Sequence, residues 1–454
     1  MNQNDIRDTF FRIETENHLF DLVDKKGNRS WDIIRSSVYF NILFHYFPVA
    51  TPPNHSFVAK TVKMASVKHH LSKLWHTFTY FISHWNKKYL VILCSRNEAE
   101  SKHFDKIADS LLSKVNIKDC YLIETYLQNL DRNYKYGKAS PSIVDLLRYV
   151  YSKGFDYDYI LQYFKKDFPD VKWNVELIRD TYGRFYAHYY YYRFLLKVKH
   201  VKKCFLVQNR YHDGLYLAAK QLGIPVVEFQ HGEITKNHPV YSYPHDESIS
   251  EKIYKPTTVL TFGEFWMKDC FYPGVNVSAV GNNYYYNAHP KLSSIQENKD
   301  ILVISDSLSC EELSSLIEKT ATKYPDKNIH YYFKLHPNQE YDYNRFLDRF
   351  KDYPGIEVVH GNRIVSDYFT RVAFVLAIES TVEFEALNAG VKIMVYKRGT
   401  YQYLESIFKE KGVFLIDNED EFMDIYELHL NDEFNDCVNR FFKPFDPNVL
   451  SKYL

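Results

Sequence analysis

The sequence predicts two doubly wound α/β domains facing a cleft. Three observations predict it. Short apolar segments alternate with helical stretches through both halves of the chain. The alternation breaks into polar, turn-forming residues around Asn282–Lys299 and then restarts, which marks a hinge. Several of the apolar segments end in polar residues suited to holding a ligand at the carboxyl edge of a parallel sheet. At 454 residues the chain is long enough for two or three separate cores.

Residues 1–20 are polar and charged, so no secretory signal is expected. Ile33 to Asn97 contain no Asp or Glu, while Arg35, Lys60, Lys63, Lys68, Lys73, Lys87, Lys88 and Arg96 are basic. Within that stretch Val67, Leu71, Leu74, Phe78, Phe81 and Trp85 recur every three or four residues, which predicts a helix. Two readings of it stand. One is a helix packed on the core with a solvated basic face; the other is a basic amphipathic surface that meets anionic lipid or an anionic acceptor.

Tyr89–Ser95 is a continuous apolar strand, and Cys120–Glu124 and Tyr159–Leu161 are further expected strands among Tyr- and Lys-rich helical segments. Cys204–Gln208, Pro225–Phe229, Val259–Phe262 and Val277–Val280 follow as strands, with a helix at Gly214–Leu222. Short connections between strand, helix and strand imply a parallel sheet covered on both faces. Beyond the hinge, strands are expected at Ile301–Ile304, Ile329–Lys334, Ile356–Val359, Val372–Ile378, Ile393–Tyr396 and Val413–Ile416. Helices are expected at Cys310–Lys323 and Thr381–Asn388. The domains so drawn are 1–285 and 286–430, with 431–454 as a tail.

Net charge is zero, which removes the electrostatic footprint of a nucleic-acid binder. The six cysteines are scattered without a C-x-x-C pair, as expected of a reducing cytoplasm rather than a zinc site or disulfide framework. The best apolar run, Val38–Ala50, is short and interrupted by Asn41 and His45, so a soluble cytoplasmic chain is expected, with room for peripheral contact at a membrane face. G-x-x-x-x-G-K-[ST], G-x-G-x-x-G and H-E-x-x-H are all absent, which sets aside phosphate-loop ATPases, dehydrogenases and zincins. Asp156-Tyr157-Asp158 matches the short D-x-D of metal-dependent sugar transferases, but it does not end a strand and one such match is expected by chance.

Three segments carry chemistry. In Val375–Gly390 a buried strand stops at Glu379, turns at Ser380-Thr381 and enters a helix ended by glycine. A helix N-terminus at the carboxyl end of a strand gathers N–H groups and a positive dipole end, a seat for phosphate. Ser380 and Glu383 also fit a capping box, so Ser380 has a structural duty compatible with that seat. Glu385 lies one turn further on, where a carboxylate can bridge two ribose hydroxyls or remain an exposed helix charge. In Phe333-Lys334-Leu335-His336-Pro337 a strand ends with a cation and an imidazole on the same side, both suited to phosphate or base oxygens. Two such strand ends suggest a nucleotide-activated donor. The third segment, Pro225–Glu233, ends a strand at Gln230-His231-Gly232. His231 or Glu233 could serve there as general base for an acceptor hydroxyl, and His238, His245 and Asp246 are secondary candidates.

The ordered set Gln230-His231-Gly232, Val280-Gly281-Asn282, Lys334-Leu335-His336-Pro337 and Glu379-Ser380-Thr381…Glu385-Ala386-Leu387…Gly390 resembles GT-B glycosyltransferases of bacterial capsule and surface-polysaccharide assembly, including sialic-acid and Kdo transferases. The resemblance spans roughly Cys204 to Tyr396, with Trp31–Arg35 and Ser95–Arg96 as fainter parts. It implies two Rossmann-like doubly wound domains, with the nucleotide sugar held in the second by Lys334, His336, Glu379, Ser380, Thr381 and Glu385. The first domain would bind a growing glycan or lipid-linked acceptor and supply the base, His231 or Glu233. It further implies metal-independent transfer without a cofactor, a CMP-sugar donor, and a last helix near Asp432–Phe442 crossing back to the first domain. Polyol-phosphate transferases of teichoic-acid synthesis share Lys-x-His-Pro. They continue His-Gly with Thr-Pro-Leu-Lys, where this chain has Glu233-Ile234-Thr235-Lys236, and carry Asp-Tyr-Ser-Ser where it has Ile378-Glu379-Ser380-Thr381. A CDP-polyol phosphotransferase, a sugar-nucleotide epimerase of the same architecture and a glycan-binding module remain as alternatives.

Overall fold

The computed structural model describes the whole chain except residues 49–66, 96, 126–132, 140–141, 154, 208–210, 288–298, 306–309, 337–338, 340–341, 361–363, 433 and 435–439. Most of the expected hinge, together with Arg96, Lys60, Lys63 and Pro337, lies outside the described residues.

The first half opens with two helices, Gln3–Glu16 and Ser30–Tyr46, and a third at Val67–Ser83. Strand β1 (Tyr89–Leu93) is followed by a small antiparallel hairpin of β2 (Asn97–Ala99) and β3 (Lys102–Phe104), then by β4 (Cys120–Glu124). After helices at Ser142–Ser152, Asp158–Lys165 and Val175–Val198 come β5 (Lys203–Val207), β6 (Val226–Phe229), β7 (Thr258–Thr261) and β8 (Asn276–Ala279). The six main strands are all parallel, in the order β4-β1-β5-β6-β7-β8. In the second half β9 (Asp300–Ile304), β10 (Tyr331–Lys334), β11 (Ile356–Val359), β12 (Val372–Ala377), β13 (Lys392–Tyr396) and β14 (Val413–Ile416) form another parallel sheet, ordered β11-β10-β9-β12-β13-β14. Apolar runs such as Tyr89–Leu93 and Val372–Ala377 are buried at every position, as strands covered on both faces require. The expected fold class is the observed one.

Among the described residues, two sets of hydrogen bonds join the halves. At one, the first helix lies across the boundary: Gln3 N donates to Gln402 Oε1 at 2.9 Å, Arg7 reaches Asn237 Oδ1 at 3.0 Å, and Asn237 Nδ2 donates to the Gln402 carbonyl at 2.9 Å. Lys236 pairs with Glu405 at 2.9 Å in the same place. That helix is anchored from inside by Glu14, fully buried, which accepts from Trp31 Nε1 at 2.8 Å and from Arg35 Nε at 2.5 Å. Burial pushes the Glu14 carboxyl up, and Arg35 pulls it back. Trp31 and Arg35 are therefore parts of this anchor.

The second bridge is the C-terminal return. Lys443 N donates to the Phe262 carbonyl at 3.0 Å, Asn282 N to the Lys443 carbonyl at 3.0 Å, and Asp446 N to the Val280 carbonyl at 2.7 Å. Gly281 adopts φ +76°, and a Cβ placed there would lie 2.1 Å from the Pro444 carbonyl oxygen. Glycine is thus required twice over, by left-handed backbone and by the passing chain. The Val280-Gly281-Asn282 motif receives the return. The returning chain has no regular secondary structure at Phe442–Asp446 and is helical at Pro447–Ser451; around the expected helix near Asp432–Phe442, Asp432, Phe434 and Arg440–Phe442 are not helical and 433 and 435–439 lie outside the described residues.

Tyr159–Leu161, expected as a strand, is instead part of the helix Asp158–Lys165. Ile160, Leu161 and Phe164 are its buried residues, a helical spacing that a three-residue apolar window conceals, and Phe164 stacks on Trp31 at 5.2 Å. The helix expected from the spacing of Val67–Trp85 is present at Val67–Ser83, and of its two readings the exposed face fits better: Tyr80 is buried, whereas Phe78, and Trp85 just past the helix end, are more than half exposed.

Candidate functional site

In the second sheet the strand order reverses between β9 and β12, so the crevice opens at their carboxyl ends. Ser305 stands at the end of β9, buried, with its hydroxyl donating to Gln339 Oε1 at 3.0 Å and its amide to the Lys334 carbonyl at 3.1 Å. Gln339 N in turn donates to the His336 carbonyl at 2.7 Å. This small knot closes the turn after β10 and fixes where His336 departs. Lys334 is buried at the strand end, with Nζ 3.4 Å from the Leu335 carbonyl, while His336 is exposed beyond it.

On the other side of the crevice, Ser380 caps the helix Thr381–Ala389. Its Oγ accepts from Val382 N at 3.2 Å, and its own amide donates to Glu383 Oε2 at 2.9 Å, so the capping box is formed. Glu383 is fully buried, which fixes the cap rigidly against β12. Thr381 opens the helix, and Gly390 closes it at φ 87°. Glu385 is half-buried one turn in and faces Lys106 of the first half; burial raises its carboxyl to about 7, and Lys106 draws it down. Lys106 is held in place by Tyr284 and Tyr285, whose ring centroids lie 5.3 and 4.3 Å from its Nζ. Its carbonyl accepts from Asn282 Nδ2 at 3.1 Å.

The facing wall comes from the turn after β6. Gln230, buried, shapes it through three bonds: its amide donates to the Leu260 carbonyl at 2.9 Å, Oε1 accepts from Phe262 N at 2.9 Å, and Nε2 donates to the Gly232 carbonyl at 2.8 Å. His231 and Glu233, both half-buried, leave that turn. A Cβ on Gly232 would meet nothing within 4 Å, so this glycine borders open space. His231 adjoins His238, whose imidazole is held far below its usual range by burial first and by His231 second. Glu233 from the first half and Glu379 from the second both act on the buried phenol of Tyr403. Burial raises that phenol most, followed by the charges of Tyr39, Glu379 and Glu233.

The predicted residues thus form three groups: Lys334 and His336 by the Ser305–Gln339 knot, Ser380, Thr381 and Glu385 on one helix, and His231 with Glu233 opposite Glu379. His245, packed at a tilt on Phe271 with ring centroids 4.7 Å apart, and Asp246, capping a turn through Ser248 N, are placed by local structure. Asp156 accepts from Asp158 N at 3.1 Å at a helix start. Sequence reasoning missed Tyr403, Lys106, Ser305 and Gln339. Ser305 was within reach, as the first polar residue after an apolar strand; Tyr403 and Lys106 enter only through tertiary packing.

No family model matches the sequence, and no curated protein matches it. Solved structures do. A putative UDP-N-acetylglucosamine 2-epimerase from Listeria monocytogenes is similar with TM-score 0.50 at 12% identity, over 81% of this chain and 96% of that one. The UDP-GlcNAc 2-epimerase of Methanocaldococcus jannaschii, solved with UDP-GlcNAc and UDP, gives 0.49 at 14% identity over 80% and 99%. MurG of Acinetobacter baumannii gives 0.46 at 11% over 80% and 98%. At such identities the likeness concerns the fold. With the two sheet orders above, it defines the class: a GT-B arrangement of two Rossmann-like domains.

Proposed function

We propose that the protein is a metal-independent glycosyltransferase that moves a sugar from a nucleotide-activated donor, CMP-sugar favoured, to a growing bacterial surface glycan or lipid-linked acceptor on the cytoplasmic side. One observation carries the reading: where the strand order reverses between β9 and β12, the crevice is bordered by the β10 end bearing Lys334 and His336 and by the Ser380-capped start of the helix Thr381–Ala389, which puts cationic, imidazole and N–H groups at one sheet edge.

In this reading Lys334 and His336 offset negative charge on the nucleotide phosphate as the bond to the sugar breaks, together with the N–H groups at the start of the helix Thr381–Ala389. Ser380 and Thr381 add hydroxyls, and Glu385 accepts from the ribose hydroxyls. His231 or Glu233 removes the proton of the acceptor hydroxyl as it attacks the anomeric carbon. The second domain, 286–430, holds the donor, and the first, 1–285, the acceptor.

The test is binding of CMP, CDP, UDP and GDP and their sugar conjugates in the presence of a chelator, followed by thermal shift. One nucleotide is expected to raise the melting midpoint, and His336→Ala to abolish that rise. Incubating the stabilising nucleotide sugar without acceptor separates the rivals. A transferase leaves the sugar's stereochemistry unchanged, whereas accumulation of an epimer overturns the proposal in favour of the epimerase. A product joined through a phosphodiester would favour the polyol-phosphate transferase instead.

A further inference from the structure

The helix Val67–Ser83 and the segment after it present an unusual face. Trp75, Phe78, Ile82 and Trp85, spaced for one side of a helix, are each more than half exposed. Phe194, on the neighbouring helix Val175–Val198, is equally exposed and stacks on Phe81 with centroids 5.9 Å apart, which continues the apolar face across both elements. A contiguous aromatic surface of this kind is not the scatter of single apolar residues that any protein carries.

Beneath it lies Lys199, fully buried, its Nζ 3.6 Å from the Phe81 centroid and 4.8 Å from that of Trp85 and donating to the Phe81 carbonyl. The exposed border is cationic. Lys88, Arg193, Lys197 and Lys202 are exposed around the same end. Both segments that build the face lack acidic residues, from Ile33 to Asn97 and from Thr181 to His212. The acidic groups that reach it are Asp145, near Lys73, and Asp119, near Lys88. No helix among the described residues is long and apolar enough to cross a membrane, so the face can lie on a bilayer but not span it.

We propose that this face docks on an anionic lipid surface, with Trp75, Phe78, Ile82, Trp85 and Phe194 entering the headgroup boundary and the surrounding Lys and Arg pairing with lipid phosphates. Tryptophan suits that depth, having an apolar body and one N–H for the wet side. Charge decides against a second copy of the chain: a two-fold pairing would set one predominantly basic face against another. The inference bears on where the acceptor is met and does not depend on the donor assignment above.

The experiment is co-sedimentation of the full chain with vesicles of phosphatidylcholine alone or with about 30% phosphatidylglycerol, at low and high salt. The protein is expected to sediment with the anionic vesicles only, and to be released by salt. Trp75→Ser/Trp85→Ser is expected to cut the bound fraction at least about fivefold with an unchanged melting midpoint, because both side chains are exposed. Nucleotide binding by that variant should equal wild type, so failure here and failure of the donor reading are distinguishable. Absence of binding, equal binding to both vesicle types, or full binding by the variant overturns the proposal. So does a dimer that the same variant dissociates while neither form binds vesicles.

Discussion

Glu385→Gln should stabilise the ligand-free protein at alkaline pH and leave it unchanged in acid. The carboxyl rises from 4.5 to about 7, chiefly through burial, with Lys106 opposing the rise. Because the folded-state value is raised, the stability this group permits is full below the unfolded value and is lost as pH rises through the folded one. The loss is at most about 3 kcal/mol from the size of the shift, and solvent at a half-buried site reduces it to ~1–2 kcal/mol. The amide variant carries no charge to bury, so at about pH 8.5 it should melt a few degrees higher than wild type, and at about pH 4 within error of it. Lys106→Met should act oppositely: it destabilises at the alkaline value, and the effect disappears when combined with Glu385→Gln. Melting curves of the four proteins at both pH values check this. An equal gain at both values, or a lower midpoint for Glu385→Gln in alkali, would refute the account of a buried carboxylate held ionised by Lys106.

Four further outcomes are expected. Gly281→Ala forces a left-handed alanine against the Pro444 carbonyl and should cost more than ~2 kcal/mol, read as a lowered midpoint and faster proteolysis of the C-terminal return. Ser380→Ala should lose about 1 kcal/mol of capping and Ser380→Gly only a few tenths; both lack the hydroxyl, so in the donor reading both weaken nucleotide binding alike, whereas a purely capping role predicts a loss that follows the two stabilities. His336→Ala, at an exposed site, should weaken nucleotide binding about tenfold or more with no change in midpoint by calorimetry. His231→Ala or Glu233→Gln should lower turnover by about a hundredfold or more with nearly intact nucleotide binding, and whichever does so identifies the base by its pH profile.

The parallel sheets were legible because strands buried on both faces are continuous apolar runs, and Tyr89–Leu93, Val372–Ala377 and Lys392–Tyr396 stand within a residue or two of where the pattern puts them. The capping box of Ser380 and Glu383 was legible for a similar reason: both partners lie within one turn. What failed was the reading of short or two-sided segments. Ile160 and Leu161 are adjacent apolar residues in a helix, and adjacency alone does not separate the two periods. Phe78 and Trp85 fit a packing stripe by spacing, yet they point outward; spacing defines a face without saying which surface covers it. Lys106 and Tyr403 belong to no local pattern, because each matters only through a partner from the other half of the chain.

Those cross-half partners explain why the order of motifs carried more than any single one. Gln230 shapes the turn that presents His231 and Glu233, Gly281 admits the returning tail, and the Ser380 cap seats the helix that carries Glu385. Each is a local solution to folding. Together they set two sheet edges against each other, held by the first helix through Gln402 and Asn237 on one side and by the tail through Phe262 and Val280 on the other. A substitution that loosens either bridge should therefore lower turnover without touching a site residue. Arg7→Ala, which removes the 3.0 Å bond to Asn237, is the mildest such change, and an unaltered kcat in that variant would show that the bonds of Gln3 and Asn237 to Gln402 and of Lys236 to Glu405 keep the walls in register without it.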